Sequence, residues 1–173
     1  WDFDTIGIIN ADALESAPDF RTQERLLYQL EKLLDFNPGR VLIQTYQPDN
    51  SLLAQFRRGN YDTFFSGELS ARKTLGYPPF SRLVKLSFSH RDEQKAATEA
   101  RILAERLKMV IVKLGLATKV QLFGPSPALV ARERGRFVFT IVLKLSHQLT
   151  SLETILKYVP SRWLIGVDPR SVV

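Results

Sequence analysis

The chain has 173 residues, of which 45% are hydrophobic and 24% are charged, and it contains no cysteine. That composition is ordinary for a protein with a buried core, and the missing cysteines exclude disulfides, thiolate zinc sites and thiol catalysis. A membrane protein is not expected either, because no apolar run approaches the roughly 18–20 residues that span a bilayer.

The formal net charge of +6 is distributed unevenly. Residues 1–75 carry 8 Lys and Arg against 11 Asp and Glu, whereas residues 76–173 carry 16 against 7. An asymmetry of this kind indicates a polyanionic partner for the basic half. It is equally compatible with basic side chains that only solvate surface helices, because net charge bears on non-specific binding rather than on function.

The first half is predicted to be the end of a larger α/β domain over residues 1–60. Apolar runs predict strands over residues 5–10 and 40–46, and helices over residues 20–34, 51–58 and 61–75. Two short strands are too few to build a good core alone. Residues 61–79 are predicted to be a helical linker, which ends at Gly76-Tyr77-Pro78-Pro79-Phe80 because prolines cannot continue a helix.

Residues 80–173 are predicted to form a second domain with the element order β-α-β-β-α-β. A strand around residues 84–88 precedes a helix that begins near Ser89 and Asp92 and ends at Gly115. Strands follow at residues 119–123, stopped by Gly124-Pro125-Ser126-Pro127, and at 136–145; a helix over 151–158 and a strand over 163–167 complete the order. This is the split βαβ, ferredoxin-like arrangement of one sheet and two helices.

The first and third strands of such a sheet are central neighbours, so their outward side chains should share one open face. The polar residues predicted there are Lys85, Arg136, Thr140 and Lys144. Phe137 and Phe139 fall on the core side, which argues against the aromatic stacking platform of RNA-binding sheets. Contact with backbone phosphates, or binding of an acidic peptide by Arg136, stays open.

The densest basic cluster is the predicted hairpin Arg132-Glu133-Arg134-Gly135-Arg136. We expect Arg132 and Arg134, with Lys85 and Lys144, to be candidates for DNA contact. A solvated hairpin is the alternative interpretation.

No stand-alone catalytic set is evident. His90 and His147 have no second ligand at metal-binding spacing, and no G-x-x-x-x-G-K-[ST] loop is present. Asp2, Asp4 and Asp12 flank the first predicted strand, where carboxylates can reach a metal or a nucleotide, but without the domain's other strands this placement is a weak signal. We therefore expect no catalytic residue and no metal site.

Several blocks resemble those of one known family and keep that family's order along the whole chain. They are Ile8-Ile9-Asn10-Ala11-Asp12, Pro18-Asp19-Phe20-Arg21, Val41-Leu42-Ile43-Gln44-Thr45-Tyr46, Leu75-Gly76-Tyr77-Pro78-Pro79-Phe80, Gly124-Pro125-Ser126-Pro127, Arg134-Gly135-Arg136-Phe137 and Val167-Asp168-Pro169. The pattern resembles the PriA family of primosomal replication-restart helicases, from helicase motif V to the C-terminal domain.

The resemblance implies a cytoplasmic bacterial DNA helicase of superfamily 2, with ATP and magnesium and zinc bound by the parent protein, whose second lobe is RecA-like. It implies as partners forked or single-stranded DNA, the acidic tail of single-stranded DNA-binding protein, and other primosome proteins. Asp2 and Phe3 match the nucleotide-linked motif V region, and Arg136 matches an arginine of the tail pocket. Thr140 stands where some members have a glutamine.

One departure from the family pattern concerns motif VI, whose arginines reach the ATP phosphates. The corresponding residues 28–40 are several residues shorter and contain a single arginine, Arg40. Because cations stabilise the transferring phosphoryl group, we expect a C-terminal fragment that binds DNA and partners without ATPase activity of its own. The alternatives are a part of a full-length, active ATP-dependent 3′–5′ helicase and a free-standing nucleic-acid-binding domain.

Overall fold

A computed structural model of the chain describes residues 3–15, 19–133, 135–147, 149, 152–169 and 171, and it omits the side chains of residues 14, 15 and 130–133. The chain divides into two compact units, with the boundary between Ala71 and Arg72. The boundary lies inside the segment 61–79 that the sequence predicts to be a linker. The mixed α/β class is confirmed.

The first unit is built on two short parallel strands, β1 (Thr5–Ile8) and β2 (Arg40–Ile43). A 3-10 turn (Ala11–Glu15) and α1 (Thr22–Leu34) connect them, and α2 (Ser51–Arg58) and α3 (Asp62–Leu75) follow; the boundary between the units falls within α3. The strands end two to three residues earlier than the apolar runs predict. The α2 bounds agree with the prediction, since Asn50 caps the helix by accepting a hydrogen bond from the Leu52 amide at 2.9 Å.

The core of the first unit is small. Its buried side chains come from all three helices and are Leu26, Leu27, Leu30, Leu52 and Phe64. These positions in α1 recur at helical spacing, which gives the helix one apolar face. Ile8 and Ile43 of the strands are partly buried and pack against this cluster.

The second unit contains an antiparallel sheet of four strands in the order β4-β5-β3-β6. The elements along the chain are β3 (Ser81–His90), α4 (Glu93–Lys113), β4 (Val120–Glu133), β5 (Arg136–Ser146), α5 (Glu153–Leu156) and β6 (Leu164–Val167). The element order therefore agrees with the prediction. The two central strands, β3 and β5, pair along their whole length, from Ser81 opposite Ser146 to His90 opposite Phe137.

Alternation along the two central strands separates a buried face from an open one. Val84 lies opposite Leu143 and Leu86 opposite Ile141, and all four side chains are fully buried. α4 covers this face with a stripe that includes Leu103 and Leu107, and α5 adds Ile155.

The ends of α4 have specific local causes. The side chain of Asp92 accepts a hydrogen bond from the Lys95 amide at 3.0 Å, so Asp92 is the N-cap, rather than Ser89 as the sequence pattern indicated. Gly115 adopts a φ of 67° just after the helix, a conformation that favours glycine. The predicted end at Gly115 is confirmed.

The predicted end of the second strand of this unit is wrong. β4 does not stop at Gly124-Pro125-Ser126-Pro127 but continues to Glu133, with register shifts between Phe123 and Ser126 and between Pro127 and Arg132. The prolines are tolerated because β4 is an edge strand, where a missing amide proton costs no ladder hydrogen bond on the outer side.

Among the described residues, no helix is both long enough and apolar enough to cross a membrane. The described part of the predicted helix over 151–158 is also shorter than expected, a single turn from Glu153 to Leu156. The division of the chain into a lobe, a linker and a C-terminal domain stays a prediction.

Candidate nucleic-acid and partner interface

The open face is the side of the second unit's sheet that faces away from α4. Side chains along a strand alternate between the two faces, so the residues between the core positions point to the open face. They include Lys85, Ser87 and Ser89 of β3 and Arg136, Thr140, Val142 and Lys144 of β5. Ser87 lies opposite Thr140, and Leu83 lies opposite Lys144. The four polar residues predicted for one face do lie on one face.

At one end of the open face, the guanidinium of Arg136 is held by a single residue. Its Nε donates to Ser89 Oγ at 3.1 Å and its Nη2 donates to the Ser89 carbonyl oxygen at 2.9 Å. The side chain is exposed, and Nη1 has no partner among the described residues. A planar guanidinium with one edge fixed and another free is suited to a carboxylate or a phosphate.

Thr140 lies on the same face and strand as Arg136 but is nearly inaccessible, with 4% of its surface exposed. Its Oγ1 donates a long hydrogen bond, 3.4 Å, to the carbonyl oxygen of Ser126 on β4. The first register shift of β4 brings Ser126 opposite Thr140. In this arrangement Thr140 orders the β4 backbone, and a role in a tail pocket stays a prediction.

At the other end of the open face, Lys144 is enclosed by other groups of the second unit. Its Nζ donates to the Leu75 carbonyl oxygen at 2.8 Å. The same atom lies 4.3 Å from the ring centroid of Tyr77 and 5.2 Å from that of Phe123. Burial lowers the pKa of the Lys144 ammonium, whereas the carbonyl and the rings favour its charged form.

The remaining DNA-contact candidates are placed less completely. Lys85 is half-buried between the open-face positions of β5 and β6, opposite Val142 and Gly166. The backbone of Arg132 pairs with Phe137 in the hairpin, while its side chain and all of Arg134 lie outside the described residues. Their predicted roles stay predictions.

The proline-rich block before β3 closes the Lys144 end of the open face. Tyr77 supplies a ring to Lys144, and the Ser81 hydroxyl donates to the Gly76 carbonyl oxygen at 2.7 Å. The imidazole of His147, which follows β5, contacts the Pro79 carbonyl oxygen. This block thus supplies one of the two rings that enclose Lys144, and its own contacts hold it beside β3 and β5.

The Val167-Asp168-Pro169 block fixes the end of the sheet's outer strand. Asp168 Oδ1 accepts from the Leu83 amide at 3.3 Å, and the Asp168 amide donates to the Leu83 carbonyl oxygen at 2.8 Å. The guanidinium of Arg82 donates to Asp168 Oδ2 at 3.0 and 3.2 Å. The Asp168 carboxylate therefore connects the end of β6 to β3.

In the first unit, the motif V candidates are only partly described. The ring of Phe3 meets the ring of Phe36 edge-to-face, with centroids 5.8 Å apart, whereas Asp2 lies outside the described residues. Asp12 is engaged in the fold: Oδ1 accepts from Thr45 Oγ1 at 3.0 Å and Oδ2 from the Tyr46 amide at 2.9 Å. The Tyr46 hydrogen bond is the main reason that the pKa of Asp12 is lowered.

Neither histidine has metal-ligand neighbours in the part of the chain that the structure describes. His90 Nδ1 accepts from the Asp92 amide at 2.9 Å and so supports the start of α4. No cluster of three or more His, Cys, Asp or Glu side chains occurs among the described residues.

Sequence reasoning missed three participants of the open face. Ser89 holds Arg136, and Tyr77 and Phe123 enclose Lys144. Alternation along β3 places Ser89 on the same face as Lys85, so the sequence could have predicted that Ser89 lies on the open face. No sequence pattern predicts that Tyr77, which lies outside every strand, folds back over Lys144.

The family model for the "Primosomal protein N C-terminal domain" matches residues 73–170. The chain is also similar to curated proteins named "Replication restart protein PriA": it is 30% identical over 173 residues to that of Bacillus subtilis (strain 168), covering 97% of this chain and 21% of the relative. It is 29% identical over 180 residues to that of Synechocystis sp. (strain PCC 6803), covering 96% and 21%, respectively. For Rickettsia felis the identity is 28% over 179 residues, covering 96% and 26%.

This chain thus spans 21 to 26% of the length of these relatives. The family match covers more than half of the chain and includes the whole described sheet, with Arg136 and Lys144. The chain belongs to the primosomal protein N C-terminal domain family.

Proposed function

We propose that this chain is the C-terminal part of a bacterial, cytoplasmic replication-restart protein and binds branched DNA and the acidic tail of single-stranded DNA-binding protein. The observation that carries the proposal is the family match over residues 73–170, supported by relatives that are named replication restart proteins. The basic charge of residues 76–173 is consistent with two anionic partners.

For the acidic tail, the proposed anchor is Arg136. Its Nε and Nη2 are bonded to Ser89, and Nη1 is directed to no described group. A bound carboxylate would complete the guanidinium's hydrogen bonds without breaking those to Ser89. Because Thr140 is buried, we assign it the support of the β4 backbone near the pocket rather than direct contact.

For DNA, the proposed contacts are Lys85 on the open face, Arg132 of β4, and Arg134, which lies outside the described residues. Contacts with phosphates supply sequence-independent affinity that falls as salt rises. Lys144 has a smaller part in this proposal than its charge suggests, since its ammonium is already enclosed.

In fold terms, we propose that the second unit is a split βαβ, ferredoxin-like domain and that the first unit is the end of a RecA-like helicase lobe. The strand order β4-β5-β3-β6 supports the first assignment, and the parallel pair β1–β2 supports the second.

The interval between α1 and β2 is only Asp35 to Gly39, which leaves little room for an arginine-bearing motif VI. We therefore propose that the chain alone hydrolyses no ATP.

The DNA part is tested by comparing forked DNA with plain duplex across a salt series. We expect tighter binding of the fork, and a smaller salt slope when Lys85 and Arg132 are both changed to Gln. A matched control changes Arg91 and Lys157, which are also exposed cations of the second unit. Absence of binding at every salt concentration contradicts this part of the proposal.

The tail part is tested by titrating an acidic peptide into the chain and into the Arg136→Ala variant. We expect about a tenfold or greater loss of affinity, because a charged hydrogen bond contributes about 1.5–3 kcal/mol. Arg82→Ala is the matched control, since Arg82 is an exposed arginine already paired with Asp168. Equal affinity of the wild type and the Arg136 variant contradicts the assignment.

A further inference from the structure

The outermost face of α4 carries a second surface, unrelated to the open face of the sheet. The buried residues of α4 lie on one side of the helix and include Leu103, Leu107 and Val110. Successive residues of an α-helix are rotated by about 100° around its axis, so positions 102, 105, 109 and 112 lie on the opposite side. Three of these four residues are apolar and exposed: Ile102 by 50%, Met109 by 67% and Val112 by 70%.

The spacing of this stripe is that of a helix made to pair with another helix. Ile102, Glu105, Met109 and Val112 are separated by three, four and three residues, which is the a-d-a-d order of a heptad seam. We call this stripe the α4 ridge. It extends about 15 Å along the helix.

The residues that flank the α4 ridge all have the same charge. The positions equivalent to e and g of the heptad are Arg101, Arg106, Lys108 and Lys113. Lys108 pairs with Glu105 at 2.9 Å. Arg101, Arg106 and Lys113 are exposed and have no ion pair or hydrogen bond with another described side chain.

We propose that the α4 ridge is a docking surface for an acidic amphipathic helix of a partner protein. Apolar side chains of that helix cover Met109 and Val112, and its carboxylates at e and g pair with the basic flanks. Charges at e and g positions set the choice of partner in paired helices. This proposal rests on α4 alone and does not depend on the proposed DNA or tail binding.

Two other occupants fit less well. A second copy of the chain would bring basic flanks against basic flanks, and like charges in register are repulsive. A DNA backbone would pair with the arginines and lysines but has no apolar surface to cover Ile102, Met109 and Val112. These three side chains would therefore stay exposed to water.

The chain provides its own probe, because Met109 is the only methionine in the sequence. With a ¹³C-methyl label on methionine, and the initiating residue removed, one methyl signal reports directly on the ridge. The ligand is a designed helical peptide of about three heptads with Leu at a and d and Glu at e and g. The matched peptide has Lys at e and g.

We expect the Glu peptide to shift the Met109 signal and the Lys peptide to leave it unchanged. The charge-reversed double variant, Arg106→Glu with Lys113→Glu, should bind the Glu peptide about tenfold or more weakly and should now bind the Lys peptide. The control, Arg91→Glu with Lys157→Glu, has the same change in net charge away from the ridge. Circular dichroism establishes that both variants are folded.

Three results would overturn the proposal. The first is an unshifted Met109 signal at every concentration of the Glu peptide. The second is equal binding of both peptides, which would mean unspecific apolar contact. The third is a shift of the Met109 signal that forked DNA, or a higher concentration of the chain itself, causes and that the Glu peptide does not reverse. Such a shift would assign the α4 ridge to DNA binding or to self-association.

Discussion

The two ends of the open face carry the same kind of residue in opposite situations. Arg136 and Lys144 lie on one strand and one face, eight residues apart. The Lys144 ammonium is enclosed by a carbonyl oxygen and two rings, whereas the Arg136 guanidinium is fixed on one edge and has no described partner at Nη1. A basic residue on a predicted open face is thus weak evidence for ligand binding until its neighbours are known.

The difference arises from what covers each end. The proline-rich block brings Tyr77 over Lys144, and Phe123 of β4, opposite Val142, supplies the second ring. Among the described groups, the Ser89 hydroxyl and carbonyl are the ones that approach the Arg136 guanidinium. We therefore expect substitutions at the enclosed end to change stability and substitutions at the free end to change binding.

The largest effect is expected for Gly124→Ala, which breaks the enclosed end. Gly124 has a φ of 89°, and a Cβ at this position would lie 2.8 Å from the Thr140 carbonyl oxygen. Backbone strain and this clash together should cost about 3 kcal/mol of unfolding free energy. Urea unfolding followed by circular dichroism measures it. Gly67→Ala, where a Cβ would meet nothing within 4 Å, is the control and should leave the midpoint unchanged or raise it.

A smaller loss is expected for Lys144→Met, which keeps the aliphatic stem and removes the charge. The variant loses a charged hydrogen bond to Leu75 and two cation–π contacts, so the unfolding free energy should fall by about 1–2 kcal/mol. Its affinity for DNA should change little. An unchanged unfolding midpoint with a large loss of DNA affinity would reverse the comparison between the two ends.

Arg136→Met should change the unfolding free energy by less than about 0.5 kcal/mol, because the side chain is exposed and its hydrogen bonds to described residues all go to Ser89. The same unfolding experiment, run beside Lys144→Met, measures the contrast. A loss as large as that of Lys144→Met would mean that Arg136 is a structural residue.

An effect confined to high pH is expected for an enclosed pair in the first unit. The Tyr61 hydroxyl donates to Glu31 Oε1, and burial first, then this carboxylate, raises the pKa of Tyr61 from 10.0 to about 12. Since the folded pKa is the higher one, this stabilisation is complete below pH 10 and is lost as the pH rises towards 12. Tyr61→Phe should lack that loss, which unfolding at a series of pH values detects.

The sequence predicted the strands and helices of the second unit well because their apolar residues alternate or recur at helical spacing. It predicted the shared face of Lys85, Arg136 and Lys144 for the same reason. It failed at β4, where Gly124 and two prolines indicate a break, because an edge strand accommodates prolines and register shifts that would end an inner strand.

Tertiary contacts also determine which individual polar residues are buried or already hydrogen-bonded. Thr140 has the same alternation as Arg136, yet the shifted β4 backbone buries it. Asp12 looked available beside a strand end, but Thr45 and the Tyr46 amide, more than thirty positions away, occupy both of its oxygens. Contacts between residues so far apart in sequence leave no local pattern to read.

The prolines of β4 also limit how the sheet can grow. Pro125 and Pro127 have no amide proton to offer on the outer side of this edge, so an additional strand cannot form a continuous ladder there. The opposite edge is β6, four residues without a charge or a proline, with Leu164 exposed by 76%. Strand addition to this sheet is therefore less hindered at β6 than along the proline-bearing part of β4.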